Sequence, residues 1–451
     1  MPRRHAPPPR ADARPGVPPH AAGPDIGREE IWACVPEERD DQPVRSFGTV
    51  TPALLALAEW LVSCRIATVA LESTGVSGSP VSEMLEARGF NVSRVNAPHL
   101  KQVPGRKSES QECQWMQHLH TCGLLRGSLR PEAEMCAWRA YLRHRARLLA
   151  YRAAHIQHLQ KALHQMHVQL PQVRTASTGV TGLAIIRAIV AGERDPVHWA
   201  RFREPPCARS TEDIAQAWTG HSPPEPGFAL KRALALYEAY TAQVRECDTA
   251  IEPRFRAMKP VGPAAPPPLH RATTQRTHTK NAPLYDARGV RYQLPGVALV
   301  AIPGLHASPV QTIPSGIGLD LRTWPNAQAF CSWVGLAPHQ EISGGKLLRR
   351  RTLQTRNRAG QACRLAAPAV SRSPNGLGAF SRRLRARVGP PSALVATAHT
   401  IARLVYDLLP QRTPFRDLSA AAYERRTRAR EIAAWRNKAT RCGFTLVEST
   451  A

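Results

Sequence analysis

The side chains able to do chemistry in this chain are four carboxylates, Asp25, Glu72, Glu109 and Glu112, and one hydroxyl, Ser343. Glu72 closes the apolar run Thr68–Leu71 within TVALESTGV, and a sharp Ser73-Thr74-Gly75 turn follows it. A buried parallel strand has this uncharged, partly β-branched composition, and open α/β sheets place their chemistry at such carboxyl ends. Asp25 stands in Gly23-Pro24-Asp25-Ile26-Gly27, an acid beside a glycine turn, just before a second apolar run. Glu109 and Glu112 follow the basic loop Pro104-Gly105-Arg106-Lys107. Separated acidic points that a sheet can bring together suggest a divalent-metal site. Mg2+ (or Mn2+) takes carboxylate oxygens, and phosphoryl transfer uses two such ions.

Ser343 lies in Ile342-Ser343-Gly344-Gly345-Lys346, ahead of Arg349, Arg350, Arg351, Arg356 and Arg358. A serine beside two glycines at the start of a basic helix would expose its hydroxyl to a phosphate, with Lys346 and the arginines to receive the charge. A glycine-rich turn with a capping serine has the same spacing, and spacing alone favours the turn.

The elements that must position these groups follow from periodicity. The pattern predicts strands over Ile31–Val35, Arg45–Thr49, Thr68–Leu71 and Phe90–Val95, helices over Pro52–Cys64 and Pro80–Ala87, and a helix from Glu109 carrying Cys113, Met116 and Leu119. A hairpin followed by strand-helix units makes an α/β domain with a mixed sheet. In it Asp25 and Glu72 can lie on neighbouring strand ends, with Glu109 and Glu112 one turn apart on one helix face.

Met135, Trp138, Leu142, Leu149, Ile156, Leu159, Leu163, Met166 and Leu170 fall on heptad positions, interrupted by Arg145 and Arg152, and Leu230 to Ile251 repeats the spacing. These are coiled-coil seams that can pair within one chain or between chains. His155/His158 and His164/His167 share the first helix, but no Cys or carboxylate joins them at ligand spacing, so a polar helix surface is the better reading. The expected organisation is a disordered tail 1–21, an α/β domain 22–130, a coiled-coil region with a helical insertion 131–257, a Pro-rich linker 258–295, a mainly α domain 296–420 and a basic helical tail 421–451. Pro309, Pro314 and Pro368 fall inside expected helices, at about 3 kcal/mol for each internal proline.

Lys and Arg number 61 against 34 Asp and Glu in 451 residues, a net charge of +27 spread along the chain, which favours a polyanionic partner. A coding bias toward Arg, Ala and Pro explains some of the arginine but not the imbalance of sign. Ten cysteines without a Cys-x-x-Cys pair predict reduced thiols in an intracellular protein. No run is long and apolar enough to span a bilayer, and Arg3-Arg4 has no apolar stretch behind it as an export signal requires.

Five motifs stand in order: Asp25-Ile-Gly; Leu71-Glu-Ser-Thr-Gly; Val103-Pro-Gly-Arg-Lys-Ser with Cys113-Gln-Trp; Ala191-Gly-Glu-Arg-Asp; and Ser332-Trp-Val-Gly-Leu-Ala-Pro with Ile342-Ser-Gly-Gly-Lys. Together they resemble the IS110 family of insertion-sequence transposases from about residue 21 to the C-terminus. The resemblance implies an RNase H-like (RuvC-like) nuclease domain holding divalent metal with four acids, a coiled coil, and a mainly α C-terminal transposase domain whose serine forms a phosphoserine link to DNA. It further implies DNA ends and target as substrates, a structured guide RNA, a homo-oligomer, and a cytoplasmic, nucleoid-associated bacterial protein without a membrane. Asp25 and Glu72 match the first two acids, Glu109 and Glu112 stand where the family has aspartates, and Ser343 matches the nucleophile. Each Glu adds a methylene to a metal ligand, which points to a diverged or decayed copy with impaired activity. Two other readings stay open: an inactive DNA- or RNA-binding relic, and a RuvC-like structure-specific nuclease that uses water in place of Ser343.

Overall fold

The computed structural model describes residues 20–72, 78–95, 109–125, 127–129, 131–168, 178–202, 212, 215–216, 219, 224–258, 281–285, 292, 294–352 and 357–447. The chain divides into two compact units, Met1–Arg130 and Pro131–Ala451.

The first unit is built on a five-stranded sheet in the order β3-β2-β1-β4-β5. β1 (Ala21–Ile26), β2 (Glu30–Cys34) and β3 (Val44–Gly48) form an antiparallel meander, while β4 (Thr68–Glu72) and β5 (Asn91–Val95) add in parallel beside β1. The mixed sheet follows from the connections: short turns join the first three strands, and the parallel ones are reached through helices α1 (Thr51–Ser63) and α2 (Gly78–Ala87). Alternation sorts the faces. Ile31, Ala33, Val69 and Leu71 pack with Leu57 and Leu61 of α1 and Leu85 of α2, whereas Ala70 and Val95 turn the other way, onto Met116 of α3 (Glu109–Thr121). Helices on both faces of a mixed sheet give an RNase H-like fold.

β1 takes in Ala21, the last residue of the expected tail, of which residues 1–19 lie outside the described residues. Ala21 is fully buried in the sheet, and the strand continues through Pro24. Gly27 donates its N–H to the Glu30 carbonyl at 2.9 Å, so the alternation of an antiparallel ladder makes Pro24 and Ala33 a non-exchanging pair. The donor that Pro24 lacks would have faced β4, and the β1–β4 register runs only through Ala21–Thr68 and Ala22–Val69.

In the second unit α4 (Ala133–Gln165) and α5 (Val180–Val190), α6 (Pro196–Ala200) and α7 (Pro224–Ala257) share cores. α4 and α7 pair antiparallel within the chain: Trp138 meets Phe255, Arg145 meets Asp248 and Tyr151 meets Tyr240. The arginines that interrupted the heptads are buried, with partners. Arg145 Nε lies 2.5 Å from Asp248 Oδ1 and its Nη2 3.1 Å from Oδ2, while Arg152 Nη2 donates to Asn281 Oδ1 at 2.7 Å. Leu170 and most of the expected linker lie outside the described residues, but 281–285 is packed rather than free, with Leu284 N–H on Asp248 and Tyr285 buried.

The remaining helices are α8 (Ala307–Ile317), α9 (Ala327–Trp333), α10 (Arg358–Ser371), α11 (Gly376–Val388), α12 (Pro390–Gln411) and α13 (Ala420–Arg441), with a hairpin of β6 (Pro338–Ser343) and β7 (Lys346–Thr352) between α9 and α10. Pro309 sits in the first turn of α8, where its missing N–H had no intrahelical acceptor, so it carries no helix-breaking cost. Pro314 and Pro368 are internal, and α8 and α10 continue through them.

Asp248→Ala leaves Arg145 buried without its counter-charge and is expected to destabilise the second unit by about 3–5 kcal/mol in urea unfolding. Arg145→Met combined with Asp248→Leu should recover most of that loss. A single replacement as mild as the double one would show that the pair does not hold the two helices.

Candidate active site and nucleic-acid interface

Asp25 and Glu72 lie near the carboxyl ends of adjacent strands. Ala21 pairs with Thr68 and Ala22 with Val69, and counting on along both strands brings Asp25 level with Glu72. Strand alternation also gives them a common face. Ala22, Val69 and Leu71 belong to the core under α1 and α2, so Gly23 and Asp25 on β1, and Ala70 and Glu72 on β4, take the face covered by α3.

α3 brings the second acidic pair to the same end. A Cβ built on Gly23 would stand 2.4 Å from Gln117 N and 2.9 Å from the Cys113 carbonyl oxygen, so the helix rests backbone on backbone across β1. Toward the strand starts, Gln117 Nε2 reaches the Ala21 carbonyl at 3.5 Å, and His120 Nε2 meets Thr68 Oγ1 at 3.0 Å. Burial holds the His120 pKa below its ordinary value. Toward the strand ends, the buried Cys113 is close enough to Asp25 to feel its charge. A hydrogen bond with Cys34, then burial, and then the Cys34 and Asp25 charges keep the Cys113 thiol protonated. The helix therefore runs opposite to β1 and β4, and its first turn, with Glu109 at the start and a half-buried Glu112 one turn later, lies over the end that carries Asp25 and Glu72. Among the described residues, no group of three His, Cys, Asp or Glu side chains stands close enough to hold an ion. Arg106 and Lys107, and the Ser73-Thr74-Gly75 turn, lie outside the described residues.

Sequence reasoning missed Gly23 as a packing residue. Its signal was its place two residues before Asp25, which in a strand puts both on one face. The Cys34–Cys113 contact pairs a strand with a helix far along the chain, and no local pattern announces it.

Ser343 is the last residue of β6 and is exposed. The basic helix expected after it is instead strand β7, because Gly344 and Gly345 both take positive φ, 54° and 76°, as a tight two-residue hairpin turn requires. Ser343 pairs across this turn with Lys346, so the two side chains share a face. Register shifts between Glu341 and Ile342, after which Glu341 opposes Arg349, Gln340 opposes Arg350 and His339 opposes Arg351. Lys346 and Arg349 are exposed. The hairpin thus presents the Ser343 hydroxyl beside the exposed Lys346 at a solvent-facing tip. The serine does not cap a helix.

Further basic surface lies on α13, which buries none of its residues and carries Arg425, Arg426, Arg428 and Arg430, and on the outward side of α11. On α4 His155 stacks on Tyr240 with ring centroids 5.4 Å apart, and burial, then the charge of His158, lowers its pKa.

Residues 22–168 match the DEDD_Tnp_IS110 transposase model, and residues 298–376 match the transposase model of the IS116/IS110/IS902 family. The chain belongs to the IS110 family of transposases. No curated protein matches it. The two matches cover the sheet with α3 and the helix–hairpin region around Ser343, so this IS110-family transposase is a DNA-acting enzyme whose DEDD-type domain implies dependence on a divalent metal. The donor set fits: Asp25, Glu72 and the 109/112 pair offer only carboxylate oxygens, which suit a hard cation. No helix among the described residues is long and apolar enough to cross a membrane.

Gly23→Ala forces a methyl group into the α3 backbone. It is expected to cost about 1–3 kcal/mol by overpacking, and to speed amide hydrogen exchange across 109–121 selectively. Unchanged exchange there would contradict the backbone-on-backbone seat of α3.

Proposed function

We propose that this transposase exchanges DNA strands through a phosphoserine intermediate on Ser343, with Asp25, Glu72, Glu109 and Glu112 as the ligands of Mg2+ or Mn2+. The observation that supports the proposal is the pairing of Ala21 with Thr68 and Ala22 with Val69, which, counted on, brings Asp25 level with Glu72 on the face that α3 covers. In the reaction Ser343 Oγ forms a bond to the scissile phosphorus, the bond from phosphorus to the deoxyribose oxygen breaks, and that oxygen takes up a proton as the serine hydroxyl loses its own. When bound, the divalent cation supplies positive charge against the scissile phosphate and the departing oxygen. Lys346 and Arg349, with Arg350 and Arg351 on the same strand and Arg106 and Lys107 before α3, hold the DNA backbone. The phosphoserine link conserves bond energy, so rejoining needs no nucleotide hydrolysis. A guide RNA and a homo-oligomer that completes each site from two chains belong to the same reading, as does a place at the bacterial nucleoid, where the DNA substrate is.

Glu109 and Glu112 reach one methylene further than aspartate, and metal sites tolerate little displacement, so the proposal includes an impaired activity. Incubating the protein with labelled element-end DNA and Mg2+ should give a covalent adduct whose phosphopeptide contains Ser343, and Ser343→Ala should abolish it. Cleavage that survives Ser343→Ala would replace the recombinase with a nuclease that uses water. Glu109→Asp with Glu112→Asp is expected to raise adduct yield by roughly tenfold or more, on the scale of a single misplaced catalytic group; no increase would contradict the impairment.

A further inference from the structure

Between α4, α8 and the start of α10 the second unit has a cleft of about 360 Å3, lined in part by Arg139, Arg143, Gln311, Thr312 and Arg358. None of the described residues that line it is acidic. Arg145 also borders it, but the bidentate pair with Asp248 neutralises that charge. Arg139 is fixed in the wall by donating its Nε–H to the Ser315 carbonyl at 2.7 Å. Arg143 follows it at i+4 on the same helix face, and Arg358, in the first turn of α10, faces Arg143; both are exposed, with no carboxylate partner among the described residues. Partial removal from water, then the charges of Arg139 and Arg358, pull the Arg143 pKa below its ordinary value, so these guanidinium groups feel one another. Like charges at this spacing destabilise a helix and repel across a cleft. An anion between them turns that repulsion into attraction.

We propose that this cleft binds the phosphodiester backbone of an unpaired nucleic-acid strand, with Arg139, Arg143 and Arg358 converging on one or two phosphates. Its volume is that of a pocket for a small ligand and cannot admit a duplex. Among the described residues its lining carries no Phe, Tyr or Trp on which a base could stack, which favours recognition of phosphate over sequence. The unpaired strand can be DNA opened during strand exchange or an RNA bound to the enzyme. The inference uses charge and shape alone and needs neither Ser343 nor metal, so its failure is separable from failure of the proposed chemistry.

The test measures binding of labelled 20-nucleotide single-stranded DNA, single-stranded RNA and duplex DNA to the full chain carrying Ser343→Ala, in EDTA, over a range of salt. Arg143→Gln with Arg358→Gln is expected to weaken single-strand binding roughly tenfold and to cut the slope of log K against log salt by about 1.4, from about 0.7 per phosphate contact. The control pair Arg187→Gln with Arg322→Gln removes the same net charge from arginines already paired to Glu238 and Asp320, and should change the slope little. Arg143→Lys with Arg358→Lys should keep the slope, which a packing role for the guanidinium groups would not allow, and the thermal midpoint of the Gln variant should not fall. Loss in the DNA or the RNA arm supports the cleft and identifies the source of the strand. Equal loss for the duplex, loss in neither single-strand arm, or equal loss in the control pair overturns it.

Discussion

The first unit depends on one close approach: the backbone of α3 lying on the backbone of β1 at Gly23. Where that contact sets the helix decides which end of the sheet its first turn covers. With its later turns tied to the strand starts through Gln117 and His120, its first turn can only overhang the strand ends. The start of α3, where Glu109 and Glu112 stand, then covers the sheet face that carries Asp25 and Glu72. The contact costs the sheet a side chain at position 23 and seats the helix backbone directly on the strand.

The second unit handles charge in two opposite ways. Where arginine is buried in the seam of α4 and α7, it is matched: Arg145 to Asp248 and Arg152 to Asn281. Of the two, Arg145–Asp248 crosses the seam and forms in a single antiparallel register, so it selects one alignment of two long helices whose apolar positions alone would tolerate several. Exposed arginines and lysines elsewhere, such as Lys346 and Arg349 on β7, Arg425, Arg426 and Arg428 on α13 and Arg143 and Arg358 in the cleft beside α8, reach water and offer a positive field to phosphate. The net charge of +27 is thus the sum of a neutralised interior and an uncompensated surface.

Much of this was legible in the residues. Alternation around Ile31, Val69 and Leu71 and the helical spacing of Leu54, Leu57 and Leu61 locate the sheet and α1 closely, because one face of each is buried and the pattern records it. The motifs around Asp25, Glu72 and Ser343 announce the family. What was not legible depended on contacts between distant segments or on backbone angles. Pro24 argues against a central strand until the ladder shows its missing donor facing the short β1–β4 pairing. Gly344-Gly345 reads as a turn or a helix opener, with spacing favouring the turn, and the two positive φ angles in succession make that turn a hairpin rather than a helix cap. Asp248 has no local mark as the partner of Arg145, since antiparallel pairing alone brings them together.

The central claim is that Asp25, Glu72, Glu109 and Glu112 converge on one metal site at the carboxyl ends of β1 and β4. Iron-directed cleavage tests it most directly: Fe2+ replaces Mg2+, ascorbate and peroxide generate hydroxyl radicals at the bound ion, and mass spectrometry maps the cut backbone. The account predicts cuts at three separated places, around residue 25, around residue 72 and across 109–112, all suppressed together by excess Mg2+. Cutting at only one of these, or cutting centred on the histidines of α4, would contradict it.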